Sequence, residues 1–151
     1  MGRTKEEIRT GAIAFGQAAK TLGIISQAAL KADGFIGKKI LAQNVIPSIV
    51  LKAFSCELFI KSLIITNDII RIHKLDELFF CLSDTDKNSI KNEVINKMAS
   101  EEGQYVENDF NVDLEEVANA FADWRYFYED NRTINIVFLD TLLDVLWNYE
   151  K

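Results

Sequence analysis

Apolar positions in the first part of the chain recur at helical intervals. Ile8, Phe15, Leu22, Ile25 and Ala29 are separated by three, four and seven residues, which gathers them on one side of a helix turning about 100° per residue. Thr4 followed three positions later by Glu7 is a capping box, in which the hydroxyl accepts from a free N–H of the first turn and the carboxylate reaches back. A helix is predicted from there to about Ala32, where Asp33-Gly34 is a stop signal. Pro47 suits the first turn of a second helix, because its missing N–H has no partner there anyway; that helix runs to about Asn67. Ile72 to Leu82 reads as a short third helix. Ser83-Asp84-Thr85-Asp86 caps a fourth, which ends at Gly103 and has Ile90, Val94, Ile95 and Met98 as its apolar face. Asp113 with Glu116 is a further capping box, opening a fifth helix to about Asp130. A sixth extends from about Ile134 to Tyr149. No stretch shows the two-residue alternation of a half-buried strand. The expected class is all-α, a bundle of five to six helices with no internal repeat.

Six of the seven glycines lie in the first 37 residues. This N-terminal arm, about 4–33, is thus expected to be less rigidly specified than the core at about 45–150. Its Ala and Gly positions allow close approach of another helix, from the same chain or from a partner.

A length of 151 residues suits one domain with its own core. Apolar residues make up 48% of it and there is one Pro, which sets aside the disordered and low-complexity classes. The net charge of -6 argues against holding nucleic acid by bulk positive charge, since that mode needs a Lys/Arg surplus. It leaves room for a local basic pocket. Cys56 and Cys81 both sit in apolar runs and are too few for a disulfide framework, so they read as small core hydrophobes in a reducing compartment, by default the cytoplasm. Arg3, Lys5, Glu6, Glu7 and Arg9 precede any apolar stretch, and no uninterrupted apolar run reaches the roughly 18 residues of a membrane span. Neither secretion nor a membrane partner is expected.

Several charges fall on faces that should be apolar. Projection of the fifth helix puts Leu114, Val117, Ala118, Phe121 and Tyr128 on one stripe with Arg125 in its middle. An Arg keeps its charge, so on a core face it must meet a carboxylate, a phosphate or a wet pocket; the plainer alternative is a guanidinium that snorkels past the edge or pairs with an internal acid for packing alone. On the second helix Val50, Ala53, Phe54, Ile64 and Ile65 share a face with Glu57 and Lys61, while Lys52, Ser55, Ser62 and Thr66 take the opposite side. Glu57 and Lys61 have the favourable i,i+4 order, which makes a self-neutralising pair at the rim one reading. The sharper reading has Glu57 orienting Arg125 from across the bundle. His73, the only histidine, is placed at the start of the third helix, where the dipole favours its neutral form. One His and two buried-looking Cys are too few ligands for zinc, so neither a metal nor a cofactor is expected; Gly-x-Ser-x-Gly, Walker and Gly-x-Gly-x-x-Gly patterns are missing as well.

The runs Ser55-Cys56-Glu57-Leu58-Phe59-Ile60-Lys61-Ser62-Leu63, His73-Lys74-Leu75-Asp76-Glu77-Leu78 and Phe121-Ala122-Asp123-Trp124-Arg125-Tyr126-Phe127-Tyr128-Glu129 together resemble HEPN domains. The resemblance covers roughly residues 45 to 147 and lies in the order and spacing of these runs. It implies a HEPN-like four-helix core with an extra N-terminal helix, and a homodimer. Many HEPN domains are RNA-cleaving toxins or defence effectors. Their active residues are an Arg, a polar residue just after it and a His a few positions further on, paired across a dimer; they help the RNA 2′-hydroxyl attack its own phosphate without a metal. Arg125 occupies the place of the motif Arg, but Tyr126 follows it, Asp130 stands five residues on, and no histidine lies downstream.

Three functions therefore compete. The expected one is a homodimeric HEPN-like domain binding a nucleotide, RNA or a protein through a polar pocket around Arg125, Glu57, Lys61, Tyr126 and Asp130, without efficient catalysis. The second is a metal-independent ribonuclease with a rearranged site using Arg125 and His73, held by a cognate antitoxin. The third is a structural helical module whose internal charges only fix its packing.

Overall fold

The computed structural model describes residues 3–31, 35–64, 70–122 and 134–150. Among them six helices form and no strand does: α1 (Lys5–Leu30), α2 (Phe35–Leu63), α3 (Leu75–Phe80), α4 (Asp84–Glu102), α5 (Glu107–Ala122) and α6 (Ile136–Asn148). The all-α bundle is as expected. No helix among the described residues is long and apolar enough to cross a membrane.

The local start signals at three helices are closed by hydrogen bonds. Glu7 Oε2 accepts from the Thr4 N–H at 2.7 Å and Thr4 Oγ1 from the Glu7 N–H at 3.2 Å, a complete capping box for α1. Ser83 caps α4 by accepting from the Asp86 N–H, and Asn135 caps α6 by accepting from the Phe138 N–H. At the end of α4, Gly103 has φ of 90°, the left-handed region that only glycine enters without strain.

α1 and α2 form an antiparallel hairpin. Ser55 Oγ donates to the Ala12 carbonyl at 2.7 Å and Ser48 Oγ to the Ala19 carbonyl at 3.2 Å. The two pairings advance along α1 while receding along α2, each by seven residues, or two helical turns. The side of α1 that faces inward is the small-residue side, with Ala12, Gly16, Ala19 and Ser26 buried. This corrects the predicted apolar face: Phe15 and Ile25 are each 39% exposed. Small side chains let the two axes come close enough for the serine hydroxyls of α2 to reach carbonyls of α1, and a row of Phe and Ile there would hold the helices apart. Gly16 is the tightest point, since a Cβ on it would lie 2.4 Å from Trp147 Cζ3 and 2.9 Å from Ser55 Oγ. The arm thus belongs to the core of its own chain.

Over 48–63 α2 is covered on most sides, Phe54 alone being exposed there, which also revises its predicted polar face. Ser55 and Ser62 are buried and spend their hydroxyls on backbone carbonyls, Ser62 on Phe59 at 2.6 Å, while Lys52 pairs with Asp140 of α6 at 2.5 Å. Ile65, Thr66 and the predicted helix end at Asn67 lie outside the described residues. Pro47 lies inside this helix instead of opening it. A proline there leaves the Gln43 carbonyl without its intrahelical donor, in a stretch where Gln43 and Pro47 are both exposed.

The remaining helices close the core with aromatic rings. Phe79 of α3, Phe110 of α5 and Phe138 of α6 follow one another with centroids 5.3 and 5.5 Å apart, and Phe59 of α2 meets Trp147 of α6 at 5.7 Å. Ile90, Val94 and Met98 of α4 and Leu114, Val117 and Ala118 of α5 are buried as read.

Two further boundaries and one cysteine differ from expectation. α3 starts at Leu75: residues 70–74 lie outside any helix, and Lys74, just before α3, is extended at φ -78° and ψ 123°. α5 starts at Glu107, where Asp109 Oδ2 accepts from the Val106 N–H at 2.8 Å. Asp113 opens nothing: its carboxylate accepts from the Tyr105 hydroxyl at 2.6 Å and from Asn135 Nδ2 at 3.0 Å. Cys56 is buried, and burial pushes its thiol well above the usual range; Cys81, past the end of α3, is exposed.

Candidate functional site

α2 positions two of the predicted site residues and the segment before α3 brings the third. Glu57 and Lys61 are one helical turn apart. They are not at a rim: Glu57 is 3% and Lys61 9% exposed. Lys61 Nζ donates to Glu57 Oε1 at 2.6 Å. Along 70–73 exposure alternates, with Ile70 and Ile72 half-buried against the core and Arg71 and His73 exposed. Leu75, buried at the start of α3, fixes the far end of the segment.

This anchoring sets His73 beside the pair. Its Nδ1 lies 2.9 Å from Glu57 Oε1 and 3.5 Å from Lys61 Nζ, while 74% of its side-chain surface is open. One carboxylate oxygen therefore faces both the Lys61 ammonium and the His73 ring nitrogen. The other, Glu57 Oε2, is buried and has no hydrogen-bond partner among the described residues. A carboxylate oxygen withdrawn from water and left without a donor is costly. The position asks for an N–H or O–H.

Arg125, Tyr126 and Asp130, with Phe121 and Tyr128 of the same predicted stripe, have side chains outside the described residues. His73, predicted inside the first turn of a helix, stands instead outside any helix, two residues before α3 begins. Among the described residues no three His, Cys, Asp or Glu side chains come together in a way that would hold a metal ion.

One polar feature escaped the reading of the sequence. A cleft of about 220 Å³ between α1, α2 and α6 is lined by Lys20, Gly23, Lys52, Asp140, Leu143, Asp144 and Trp147. Its charges already have partners: Lys52 holds Asp140, Lys97 holds Asp144 at 2.7 Å, and the Lys20 ammonium lies over the Trp147 ring, 4.0 Å from its centroid. These contacts join residues far apart in the chain, and no local pattern announces them.

No family model matches the chain, and no curated protein or solved structure is significantly similar to it.

Proposed function

We propose that the chain is a HEPN-like binding domain that works as a cytoplasmic homodimer and holds a phosphate-bearing ligand, a nucleotide or RNA, at the cluster of Glu57, Lys61 and His73. The observation that carries this reading is the buried Glu57 Oε2, without a partner among the described residues, beside a carboxylate oxygen already engaged by Lys61 and His73. On this reading Arg125 supplies the missing donor. A guanidinium has five N–H groups in a rigid fork, so one edge can satisfy Glu57 while the other meets a phosphate oxygen, with Tyr126 and Asp130 completing the pocket. The Phe121–Tyr128 stretch forms the dimer contact.

The test is binding of a labelled single-stranded RNA to wild type and Arg125→Ala. Weaker binding by the variant, with a smaller salt slope, is expected if one phosphate contact is lost; equal binding overturns the pocket. Light scattering at micromolar concentration is expected to give twice the chain mass of 17.2 kDa, and a monomer removes the dimer.

A second reading draws on His73. An open imidazole beside a buried carboxylate is also the arrangement of a general base, which favours a metal-independent ribonuclease, with an antitoxin as its partner. Efficient RNA cleavage in excess EDTA, giving 2′,3′-cyclic phosphate ends and abolished by both Arg125→Ala and His73→Ala, would replace the binding reading with this one.

A further inference from the structure

The position of His73 relative to the α2 pair fixes more than proximity. Glu57 Oε1 can only accept, and it lies 2.9 Å from Nδ1. Were Nδ1 unprotonated, its lone pair would face a carboxylate oxygen at hydrogen-bond distance, which is repulsive. Lys61 Nζ is the poorer partner for such a lone pair, since it lies 3.5 Å from Nδ1, at the outer limit of a hydrogen bond, against 2.9 Å for Glu57 Oε1. The proton therefore sits on Nδ1. In a neutral imidazole the other nitrogen then carries the lone pair. Burial makes the arrangement firm: Glu57 and Lys61 are held inside the bundle, whereas most of the His73 ring is open.

We infer that Glu57 and His73 form a carboxylate–imidazole dyad that presents His73 Nε2 as a hydrogen-bond acceptor to a hydroxyl-bearing ligand. The ligand hydroxyl donates a hydrogen bond to Nε2 while the Nδ1–H donates to Glu57 Oε1, so the ring is polarised between the ligand and a carboxylate already in place. Lys61 has a supporting part. Its ammonium holds the carboxylate in position from the helical side, leaving Glu57 one orientation toward the ring. The ligand class this adds to the proposed function is a phosphate compound with a free hydroxyl, ribose rather than deoxyribose; the inference rests on that reading for the ligand, while the dyad stands on the geometry alone.

Because His73 is the only histidine, its two ring nitrogens give one pair of signals in a 15N-labelled protein, and pyrrole-type and pyridine-type nitrogens are well separated in shift. In alkaline buffer, wild type is expected to show Nδ1 as pyrrole-type and Nε2 as pyridine-type. Glu57→Leu/Lys61→Met, which removes both charges together and keeps the site filled, is expected to lose that preference and return to the tautomer mixture of a free imidazole. Nε2–H in wild type, or an unchanged tautomer in the double variant, overturns the dyad. A short oligoribonucleotide is then expected to shift the Nε2 signal, and the matched oligodeoxyribonucleotide to leave it in place. Equal shifts with both overturn the hydroxyl contact but leave a phosphate site intact. If neither oligonucleotide binds, the proposed nucleic-acid ligand is lost, and the tautomer measurement still decides the dyad.

Discussion

Two glycines of α1 should respond to the same substitution with opposite signs. In a helix interior Gly is about 0.8–1 kcal/mol less favourable than Ala, so Gly→Ala stabilises wherever the new methyl has room. At Gly23 a Cβ meets nothing within 4 Å, and Gly23→Ala is expected to gain up to about 1 kcal/mol. At Gly16 the same methyl would sit 2.4 Å from Trp147 Cζ3 and 2.9 Å from Ser55 Oγ, far inside van der Waals contact. Neither neighbour can yield without loss, because Trp147 packs on Phe59 and Ser55 spends its hydroxyl on the Ala12 carbonyl. Overpacking of this kind costs about 1–3 kcal/mol, and disturbing the Ser55 hydrogen bond adds about 1. Set against the helix-propensity gain, Gly16→Ala is expected to destabilise by about 1–3 kcal/mol net. Urea unfolding followed by far-UV circular dichroism gives both values, and near-UV signals report the displaced indole. If Gly16→Ala proves as stable as Gly23→Ala, α1 does not approach α2 and α6 as closely as described, and the hairpin packing is wrong.

Other outcomes follow from single environments. A thiol reagent should modify Cys81 alone in the native protein and both cysteines after unfolding, because Cys56 is buried with its thiol held protonated; Cys81→Ser should abolish native labelling, and any remaining reaction would place Cys56 at the surface. Burial and the hydrogen bond to Asp113 push the Tyr105 phenol well above its usual range, so the folded state favours the protonated phenol: its contribution is complete below about pH 10 and is lost as pH rises beyond that. An absorbance titration should show a phenolate that forms only with unfolding, and Tyr105→Phe should remove that step at a cost of about 1–3 kcal/mol. Glu57→Ala strands the Lys61 ammonium in the core and should cost about 3–5 kcal/mol, whereas Glu57→Leu/Lys61→Met should be near neutral. If Glu57→Ala and Arg125→Ala simply add in the double variant, Arg125 is not the donor to Glu57.

What the sequence disclosed depended on how far apart the interacting residues lie. The caps at Thr4–Glu7 and Ser83–Asp86 close within three residues, so their pattern already contains the interaction. Asp113–Glu116 has the same spacing, but Asp113 is claimed by Tyr105 and Asn135, and Asn135 belongs to another helix start. Pro47 fits the first turn of a helix, yet it stands in the interior of α2, where it and Gln43, whose carbonyl it deprives of a donor, are both exposed. The inward face of α1 differs from the predicted one for a related reason. Hydrophobic periodicity ranks side chains by size and apolarity, and in a helix hairpin held by serine-to-carbonyl contacts the side that turns inward is the one with the smallest residues. Cys81 sits in an apolar run that happens to end at the surface.

The candidate site was half legible for the same physical reason. A Glu and a Lys interrupting an apolar face can be seen in one dimension; that a histidine on a separate segment completes them cannot. Nor does the fold explain why the charges are there. Buried ion pairs are often replaced by apolar residues of equal volume without loss of stability, and the same is expected of Leu and Met at positions 57 and 61. What an apolar pair would lose is the acceptor that sets the His73 proton and the second carboxylate oxygen that still lacks a donor among the described residues. If the Glu57→Leu/Lys61→Met protein is as stable as wild type, the cluster brings no benefit to the packing and the difference between the two proteins is the chemistry of the site; a marked loss of stability gives the charges a structural role instead.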